Sequence, residues 1–486
     1  MIHETPSEQR LQRHLRPRHV SMIALGGAIG TGLFVASGSS IHTAGPGGAL
    51  IAYMIVGVMI YFVMTSLGEM ATYMPVSGSF ETYASKFVDP AFGFAIGWNY
   101  WFSWTACVPT ELSAGSIVMK YWFPHSSAIL WSAIFLVILC LLNAFSVKGY
   151  GEGEYWFAGI KVVTIILFIV VGILMIFGIL SGHSTGFRNF TLGGSPIHGG
   201  GMAIFSTILV AGYAFSGTEV VGLTAGESEN PGKNIPKAIR TVFWRILIFY
   251  IVSIFIIGML IPYTDPNLLN SSIHNIAVSP FTIVFKRAGF ALAAAVMNAV
   301  ILTSVLSAGN SAVYVSSRML WALAKERKAP AIFAKVSRRG VPINAMVVTI
   351  LLSLVAFLSS LVGNGVFYTW MLNIVALSAF ITWLGITVSH YRFRRAYVAQ
   401  GRDLNQLPYR AKWFPFAPLI AIVMCIIVIF GQDYNIFLGG AIDWRKISST
   451  YVGIPVFLLL WFGYKWVKQT KVVRLTECNF APNEAD

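Results

Sequence analysis

The feature that most constrains this chain is a series of long apolar segments with very few charged side chains. Most show no alternation of apolar and polar residues, and several exceed the roughly 18 apolar residues expected of a membrane-crossing helix. The pattern therefore predicts transmembrane helices and argues against the strands of an outer-membrane barrel. Twelve segments are predicted, at residues 20–43, 48–72, 91–119, 126–146, 155–180, 199–225, 240–262, 287–317, 342–362, 366–389, 415–431 and 450–468.

Composition agrees with a membrane protein, because 56% of the residues are hydrophobic and only 11% are charged. Soluble domains carry about 25% charged residues, so this chain cannot coat a soluble surface. Secreted disulfide scaffolds, nucleic-acid binders and disordered proteins are excluded on the same grounds. With 486 residues, twelve helices leave room for short loops and two tails, but not for a separate soluble domain.

The charged and metal-binding residue types suggest neither a cofactor nor a leader peptide. The polar, basic stretch up to His19 argues against a cleavable signal peptide. The four cysteines show no paired spacing, and no Cys/His cluster indicates a metal site. We therefore expect no cofactor, no metal and no nucleic-acid partner.

The distribution of basic residues predicts the orientation. With a cytoplasmic N-terminus and twelve helices, most of the 34 Lys and Arg residues fall on the cytoplasmic side. This bias follows the positive-inside rule, so both termini are predicted to be cytoplasmic. It also accounts for the net charge of +15, because the basic excess then faces the anionic lipids of that leaflet.

Glycine-rich stretches interrupt the first and sixth predicted helices. The first is Gly26–Gly32, and the second runs from Gly212 through Gly217 to Glu219. Irregular backbone at membrane depth is tolerated where it lines a cavity, and paired interruptions of this kind point to a transporter binding site. The alternative is that these glycines only allow helices to pack closely.

Two broken helices could hold both ends of a zwitterionic amino acid. The backbone N–H groups of Gly30, Thr31 and Gly32 would lie at the positive end of a half-helix and suit a carboxylate. Carbonyl groups of the second break would suit an ammonium group. We therefore predict a substrate site that contains Ile29, Gly30, Thr31, Gly32, Ala214, Phe215 and Ser216.

At these residues the chain resembles the amino acid–polyamine–organocation superfamily, and within it the bacterial amino acid transporter family. The resemblance covers roughly residues 15–470. It is carried by the two glycine-rich breaks and by Ala44–Gly48, Gly68–Met70, Pro75–Phe80, Gly97–Trp101, Ala225–Pro231, Ile261–Pro266, Ser389–Arg395 and Leu407–Arg410.

This resemblance implies an all-α fold of two inverted five-helix repeats followed by two further helices. The implied parts are a tail at 1–19, a ten-helix transport core at 20–389, a loop with helices 11 and 12 at 390–468, and a tail at 469–486. The implied activity is proton-coupled uptake of an amino acid across the bacterial inner membrane by alternating access. Lysine is the favoured substrate; arginine, ornithine, histidine, a neutral amino acid and an exchange mechanism remain alternatives.

Two ionisable residues in the membrane are candidates for proton coupling. Glu219 ends the second break, where it would titrate during transport or gate the site; a structural, hydrogen-bonded carboxyl is the alternative. Lys161 lies in the fifth predicted helix, and the resemblance implies an ammonium that takes the place of a bound cation. Its alternative is a lysine that extends to the lipid headgroups.

The third predicted helix presents one face with Tyr100, Trp104, Cys107 or Val108, and Glu111. Together with Tyr213 and Phe215 it could enclose the alkyl chain of a substrate, with Glu111 as the candidate for selectivity. An ordinary packing stripe is the alternative. No catalytic constellation, carbonyl filter or nucleotide-binding loop is present in the sequence, which disfavours an enzyme, a channel or a primary pump.

Overall fold

The computed structural model describes residues 16–23, 29–34, 36–145, 147–180, 182–268, 279–290, 292–337, 339–359, 364–432 and 450–481. Regular secondary structure in these residues is helical, which confirms the all-α class. The glycine-rich residues Gly26 and Gly27 of the first break lie outside the described residues, as does most of the N-terminal tail.

The described residues form a series of α-helices along the chain. They are α1 (Pro17–Met22), α2 (Thr31–Phe34), α3 (Ala36–Tyr73), α4 (Phe80–Phe87), α5 (Pro90–Met119), α6 (Ala128–Phe145), α7 (Val147–Ile176), α8 (Arg188–Thr191), α9 (Gly200–Phe215), α10 (Val220–Thr224), α11 (Pro231–Arg245), α12 (Ser253–Leu260), α13 (Pro280–Arg287), α14 (Ala293–Lys325), α15 (Ile343–Ser353), α16 (Asn364–Ala399), α17 (Phe416–Gly431) and α18 (Gly453–Lys468). A π-helical stretch, Ile246–Val252, joins α11 to α12.

Each of the twelve predicted segments coincides with helical residues, although several helices extend beyond the predicted ends. Helix α3 contains a kink at Gly45 (φ 75°), followed by Pro46, and this kink separates the first predicted segment from the second. Among the described residues, six helices are long and apolar enough to cross a membrane by length and composition. The chain therefore has multiple membrane-spanning helices, and the count of twelve stays a prediction.

The centre of the bundle is formed by the longest helices. Helix α5 packs against α14 and α16, and α3 packs against α9. Helix α5 is buried along most of its length, including Glu111, and α14 is buried over much of its length. Helix α2 packs against α9 and α14, and α14 packs against α5, so these four elements meet in the interior.

The C-terminal tail is packed against the protein. The amide of Val473 donates to the carbonyl of Val88 at 2.9 Å, and the guanidinium of Arg392 donates to the carbonyl of Val473. The ring of Phe480 is buried against Phe87 and Phe393. The segment up to residue 481 is therefore attached to the ends of α4 and α16.

Candidate functional site

The two helix interruptions lie side by side in the interior. Gly30 is not helical and directly precedes α2, whereas α9 ends at Phe215 and helical structure resumes only at Val220. A Cβ atom added to Gly32 would lie 2.5 Å from the Cα atom of Ala214. Only glycine fits at this contact, so the two breaks approach each other at backbone distance.

A small cavity of about 40 Å³ lies between the two breaks. Its walls come from α2, α5, α9, α14 and α16, through Gly30, Thr31, Gly32, Trp104, Cys107, Glu111, Tyr213, Ala214, Ser216, Ala308 and Val375. The space is large enough for only a few water molecules, since one water needs about 10–15 Å³. An amino acid is larger, so its binding here requires the walls to move apart.

Glu111 presents its carboxylate to this cavity. Its Oε1 atom accepts from the hydroxyl of Tyr213 at 3.4 Å and lies 3.5 Å from the hydroxyl of Thr31. These two hydroxyl groups are themselves 3.3 Å apart. A residue of the third predicted helix is thus linked to both breaks.

Two backbone carbonyl groups of the second break, which are predicted to be available to the substrate, already accept hydrogen bonds from the protein. The carbonyl of Ala214 accepts from the hydroxyl of Tyr250 at 2.8 Å, and that of Phe215 accepts from the hydroxyl of Thr218 at 2.6 Å. Each carbonyl oxygen retains a second lone pair. An ammonium group would therefore share these oxygens with the protein.

Phe215 does not line the cavity, in contrast to its predicted place in the pocket wall. Its ring is fully buried and stacks on Tyr250 with 4.2 Å between ring centroids. The same ring also lies 6.1 Å from the ring of Tyr53 on α3, measured between centroids. Ile29 is also fully buried and lies outside the lining.

Glu219 lies beside the cavity and not in its wall. Its Oε1 atom accepts from the hydroxyl of Tyr100 at 3.3 Å, and its Oε2 atom accepts from the indole N–H of Trp383 at 3.0 Å. Sequence reasoning missed Trp383, which is fully buried on α16. Nothing in a tryptophan on an apolar helix indicates in advance that its N–H meets an acid some 160 positions earlier in the chain.

Lys161 is fully buried, so it does not extend to the headgroups. Its Nζ atom donates to the hydroxyl of Ser307 on α14 at 2.8 Å. The same hydroxyl donates to Oε1 of Glu154 at 2.6 Å. Glu154 was missed because the predicted helix starts at residue 155, whereas α7 begins at Val147.

Arg245 is a second functional candidate that sequence reasoning missed. Its side chain is fully buried, although it lies only five residues into the predicted segment 240–262. Its guanidinium donates to the hydroxyl of Thr218 within the second break. A fully buried arginine that holds irregular backbone is a candidate for positioning the site.

Ion pairs concentrate at the predicted cytoplasmic end of the bundle. Glu69 accepts from Nε of Arg394 at 2.6 Å and from the amide of Ala411 at 2.6 Å. Glu227 is buried, and its Oε1 atom lies 2.5 Å from Nε of Arg318 on α14. Long-range pairing therefore ties these helix ends together.

A larger cavity of about 320 Å³ lies away from both breaks. It is bounded by Tyr61, Arg240, Tyr409, Arg410 and Trp413, among other residues near the predicted cytoplasmic surface. Size alone would favour it as a binding site. The two helix breaks and a buried acid meet at the smaller cavity and favour it as the binding site. Irregular backbone at membrane depth is tolerated only where it is buried in protein or lines a cavity.

The profile of the amino acid permease family matches residues 19–477 of this chain. The chain belongs to this family. Two relatives carry the name lysine-specific permease LysP. The one from Escherichia coli (strain K12) is 54% identical, with all of both chains covered. The one from Lactococcus lactis is 50% identical, over 98% of this chain and 94% of the relative.

Other relatives and one solved structure extend the comparison. The histidine permease HisP of Lactococcus lactis is 47% identical over 98% of this chain and 99% of its own. The structure of Mhp1, a nucleobase-cation-symport-1 family transporter with bromovinylhydantoin bound, matches with a TM-score of 0.50 at 14% identity, over 92% of this chain and 99% of that one. This last match concerns the fold alone. The chain is thus an amino acid permease with a transporter fold.

Proposed function

We propose that this permease imports L-lysine together with protons across the bacterial inner membrane by alternating access. The main support is the cavity between the two broken helices, which is lined by the carboxylate of Glu111. A relative named lysine-specific permease is 54% identical to this chain. The proposal includes twelve spans with both termini in the cytoplasm and two inverted five-helix repeats. It describes a carrier and not an enzyme.

The first break would bind the substrate carboxylate. The first N–H groups of a helix have no partner within it, so those of Gly30, Thr31 and Gly32, at the start of α2, would be available to the substrate. The absence of side chains at two of these positions lets the carboxylate approach the backbone. The carbonyls of Ala214 and Ser216 would accept from the substrate ammonium on the opposite wall.

Glu111 and Trp104 would receive the side chain of lysine. Both line the cavity, and Cys107 lies between them on the same face of α5. A lysine ammonium is favoured beside a carboxylate or over an indole ring. Glu111 would then leave its hydrogen bonds with Thr31 and Tyr213 when the cavity widens around the substrate.

Lys161 and Glu219 would carry the proton coupling. Lys161 is buried at membrane depth and bonded to α14, so a change in its charge would alter the contact between α7 and α14. Glu219 joins the second break to α5 and α16 through Tyr100 and Trp383. Protonation of either residue would favour one arrangement of these helices over another.

Histidine is the second candidate substrate, because a histidine permease is 47% identical over nearly the whole chain. The residues around the cavity, including Glu111, do not by themselves distinguish a lysine ammonium from an imidazolium. Direct competition between the two amino acids decides this point.

The test uses the purified protein in liposomes with labelled lysine and an imposed pH gradient. We expect saturable uptake that the gradient drives uphill and that unlabelled lysine competes more strongly than arginine, ornithine, histidine or neutral amino acids. Uptake that ignores the gradient and requires an amino acid inside the liposome would establish exchange. Flux that does not saturate would contradict a carrier.

Two variants test the coupling residues. Glu219→Gln should abolish proton-driven uptake while lysine still binds, as measured by a lysine-dependent shift in melting temperature. Lys161→Ala should also abolish uphill uptake. Normal pH-dependent uptake by either variant would remove that residue from the mechanism.

A further inference from the structure

A row of polar side chains runs from Lys161 towards the predicted cytoplasmic end, between α7 and α14. On α7, Tyr150, Glu154 and Lys161 lie at positions i, i+4 and i+11, which share one face of a helix. On α14, residues 307, 311, 314 and 318 share the facing side with the same spacing. Two helices thus present matched polar faces inside an apolar bundle.

The first part of this row is a continuous hydrogen-bonded bridge. Nζ of Lys161 donates to Oγ of Ser307 at 2.8 Å, and the same Oγ donates to Oε1 of Glu154 at 2.6 Å. All three side chains are fully buried. Asn310 and Ser311 lie next to the carboxyl of Glu154 on the same face of α14.

The second part of the row continues to the end of the bundle. The hydroxyl of Tyr150 lies 3.1 Å from that of Ser311, and its ring stacks on Tyr314 with 3.8 Å between centroids. The guanidinium of Arg318 lies 3.6 Å from the centroid of Tyr314 and is paired with Glu227. Arg318 and Glu227 therefore close the row at its outer end.

We propose that Glu154, bridged to Lys161 by the hydroxyl of Ser307, is the proton acceptor on the path from Lys161 to the cytoplasm. This inference rests on the proposed proton-coupled function. In the step, Ser307 gives its proton to a carboxylate oxygen of Glu154 and receives one from the ammonium of Lys161. One proton thus moves from Lys161 to Glu154. The amine becomes neutral and the carboxyl becomes protonated, and Ser307 ends with the same number of protons as before.

The neighbouring groups suit this exchange. Among the described residues, Lys161 and Tyr150 are the titratable groups that interact with Glu154, and Arg318 and Glu227 lie beside Tyr150. Lys161 itself also faces Glu111 and Arg245. Because Arg318 is already paired with Glu227, it does not hold the carboxylate of Glu154, which can then exchange a proton with Lys161. Separation of α7 from α14 would expose the protonated carboxyl to the cytoplasm, where it would release the proton.

The experiment compares two kinds of transport by the full chain in liposomes that contain a pH-sensitive dye. Counterflow at equal pH measures substrate exchange; uptake under a pH gradient, with dye response, measures proton entry with lysine. In Glu154→Gln the rate of gradient-driven uptake should fall about 100-fold, which is a typical effect of removing an acid–base group. The rate of counterflow should fall far less. Glu154→Asp should restore part of the proton entry.

Glu152→Gln is the matched control, because Glu152 is partly exposed on the same helix and pairs with Arg18 and His19. It should behave as the wild type in both assays. Ser307→Ala removes the bridging hydroxyl and leaves both charged groups, so it should reduce proton entry more than counterflow. Ser304→Ala, whose hydroxyl bonds only to its own helix in the described contacts, is its control.

Equal loss of counterflow and gradient-driven uptake in Glu154→Gln would show a structural role and overturn the inference, and so would normal proton entry in that variant. If Glu154→Gln does not fold, normal proton entry in Ser307→Ala overturns it and selective loss supports it. A wild type that takes up lysine without proton entry would overturn the proposed function, and this inference with it. Proton entry in the wild type and in Glu154→Gln alike would overturn this inference alone.

Discussion

The carboxylates at the centre of this permease and those at its predicted cytoplasmic end have different partners. Glu111 and Glu219 accept hydrogen bonds from hydroxyl groups and an indole. Glu69 and Glu227 accept from the guanidinium groups of arginines. A guanidinium fixes the charge of its partner, whereas neutral donors leave a carboxylate able to meet a proton or a substrate cation. The centre is thus arranged for exchange and the end for fixed attachment.

The largest expected effect comes from breaking a fixed ion pair at the predicted cytoplasmic end. Arg394→Gln would leave Glu69, which is fully buried, without its guanidinium. Breaking a buried ion pair costs about 3–5 kcal/mol, so the apparent melting temperature in detergent should fall strongly. Arg395→Gln, an exposed neighbour on the same helix, should melt like the wild type. Equal stability of the two variants would contradict the comparison.

At the centre, a change in backbone contact should abolish transport. Gly32→Ala would bring a Cβ atom within 2.5 Å of the Cα atom of Ala214, which forces the two breaks apart. Misplacement of this size can cost about 100-fold in rate, so lysine uptake should fall by that order while the protein still folds. Gly153→Ala is the control, because a Cβ there meets nothing within 4 Å. Normal uptake by Gly32→Ala would argue against a site between the breaks.

The charge of Glu111 should affect selectivity more than stability. Glu111→Gln keeps a hydrogen-bond acceptor for Tyr213 but removes the charge that would face a lysine ammonium. Losing a charged contact worth about 1.4 kcal/mol weakens binding tenfold. The affinity for lysine should therefore fall about tenfold relative to the affinity for a neutral amino acid. Competition against labelled lysine measures the ratio. Thr110→Val, which removes a hydroxyl bonded within α5, should leave that ratio unchanged.

The smallest expected effect concerns Asp89, which caps α5 at the predicted cytoplasmic end. Burial raises the pKa of Asp89, but Lys465 at 2.6 Å, the amide of Ala91 and Thr470 together hold the pKa below its ordinary value. The stabilisation is therefore present at neutral pH and is lost as the pH falls through that lowered pKa. Asp89→Asn retains a capping side chain and removes the ion pair. Because Lys465 is partly exposed and its ammonium can turn to solvent, the change should cost about 1 kcal/mol.

The pH dependence of melting checks this prediction. The difference in melting temperature between wild type and Asp89→Asn should be present at neutral pH and shrink under acidic conditions. Glu477→Gln removes an exposed pair with Arg474 and should show no such difference. A gap that widens on acidification would contradict the assignment of the charged pair.

Much of the fold was predictable because hydropathy and glycine content act locally. The apolar segments required helices. The glycines around Gly217 predicted an interruption where the structure has one, and Gly30, the described glycine directly before α2, is not helical. The shared face of Trp104, Cys107 and Glu111 followed from helical spacing, and the three residues do line one cavity. Their role in binding stays a prediction.

Hydropathy and backbone propensity, read from the sequence by itself, determined an all-helical membrane protein with weak points in two helices. Only the tertiary structure decided which buried polar groups meet: Lys161 with Ser307, Glu219 with Trp383, and Arg245 with Thr218. These contacts join residues far apart in the chain, and each buried donor requires an acceptor that packing alone supplies. Residue spacing along one helix carries no information about the helix that packs against it.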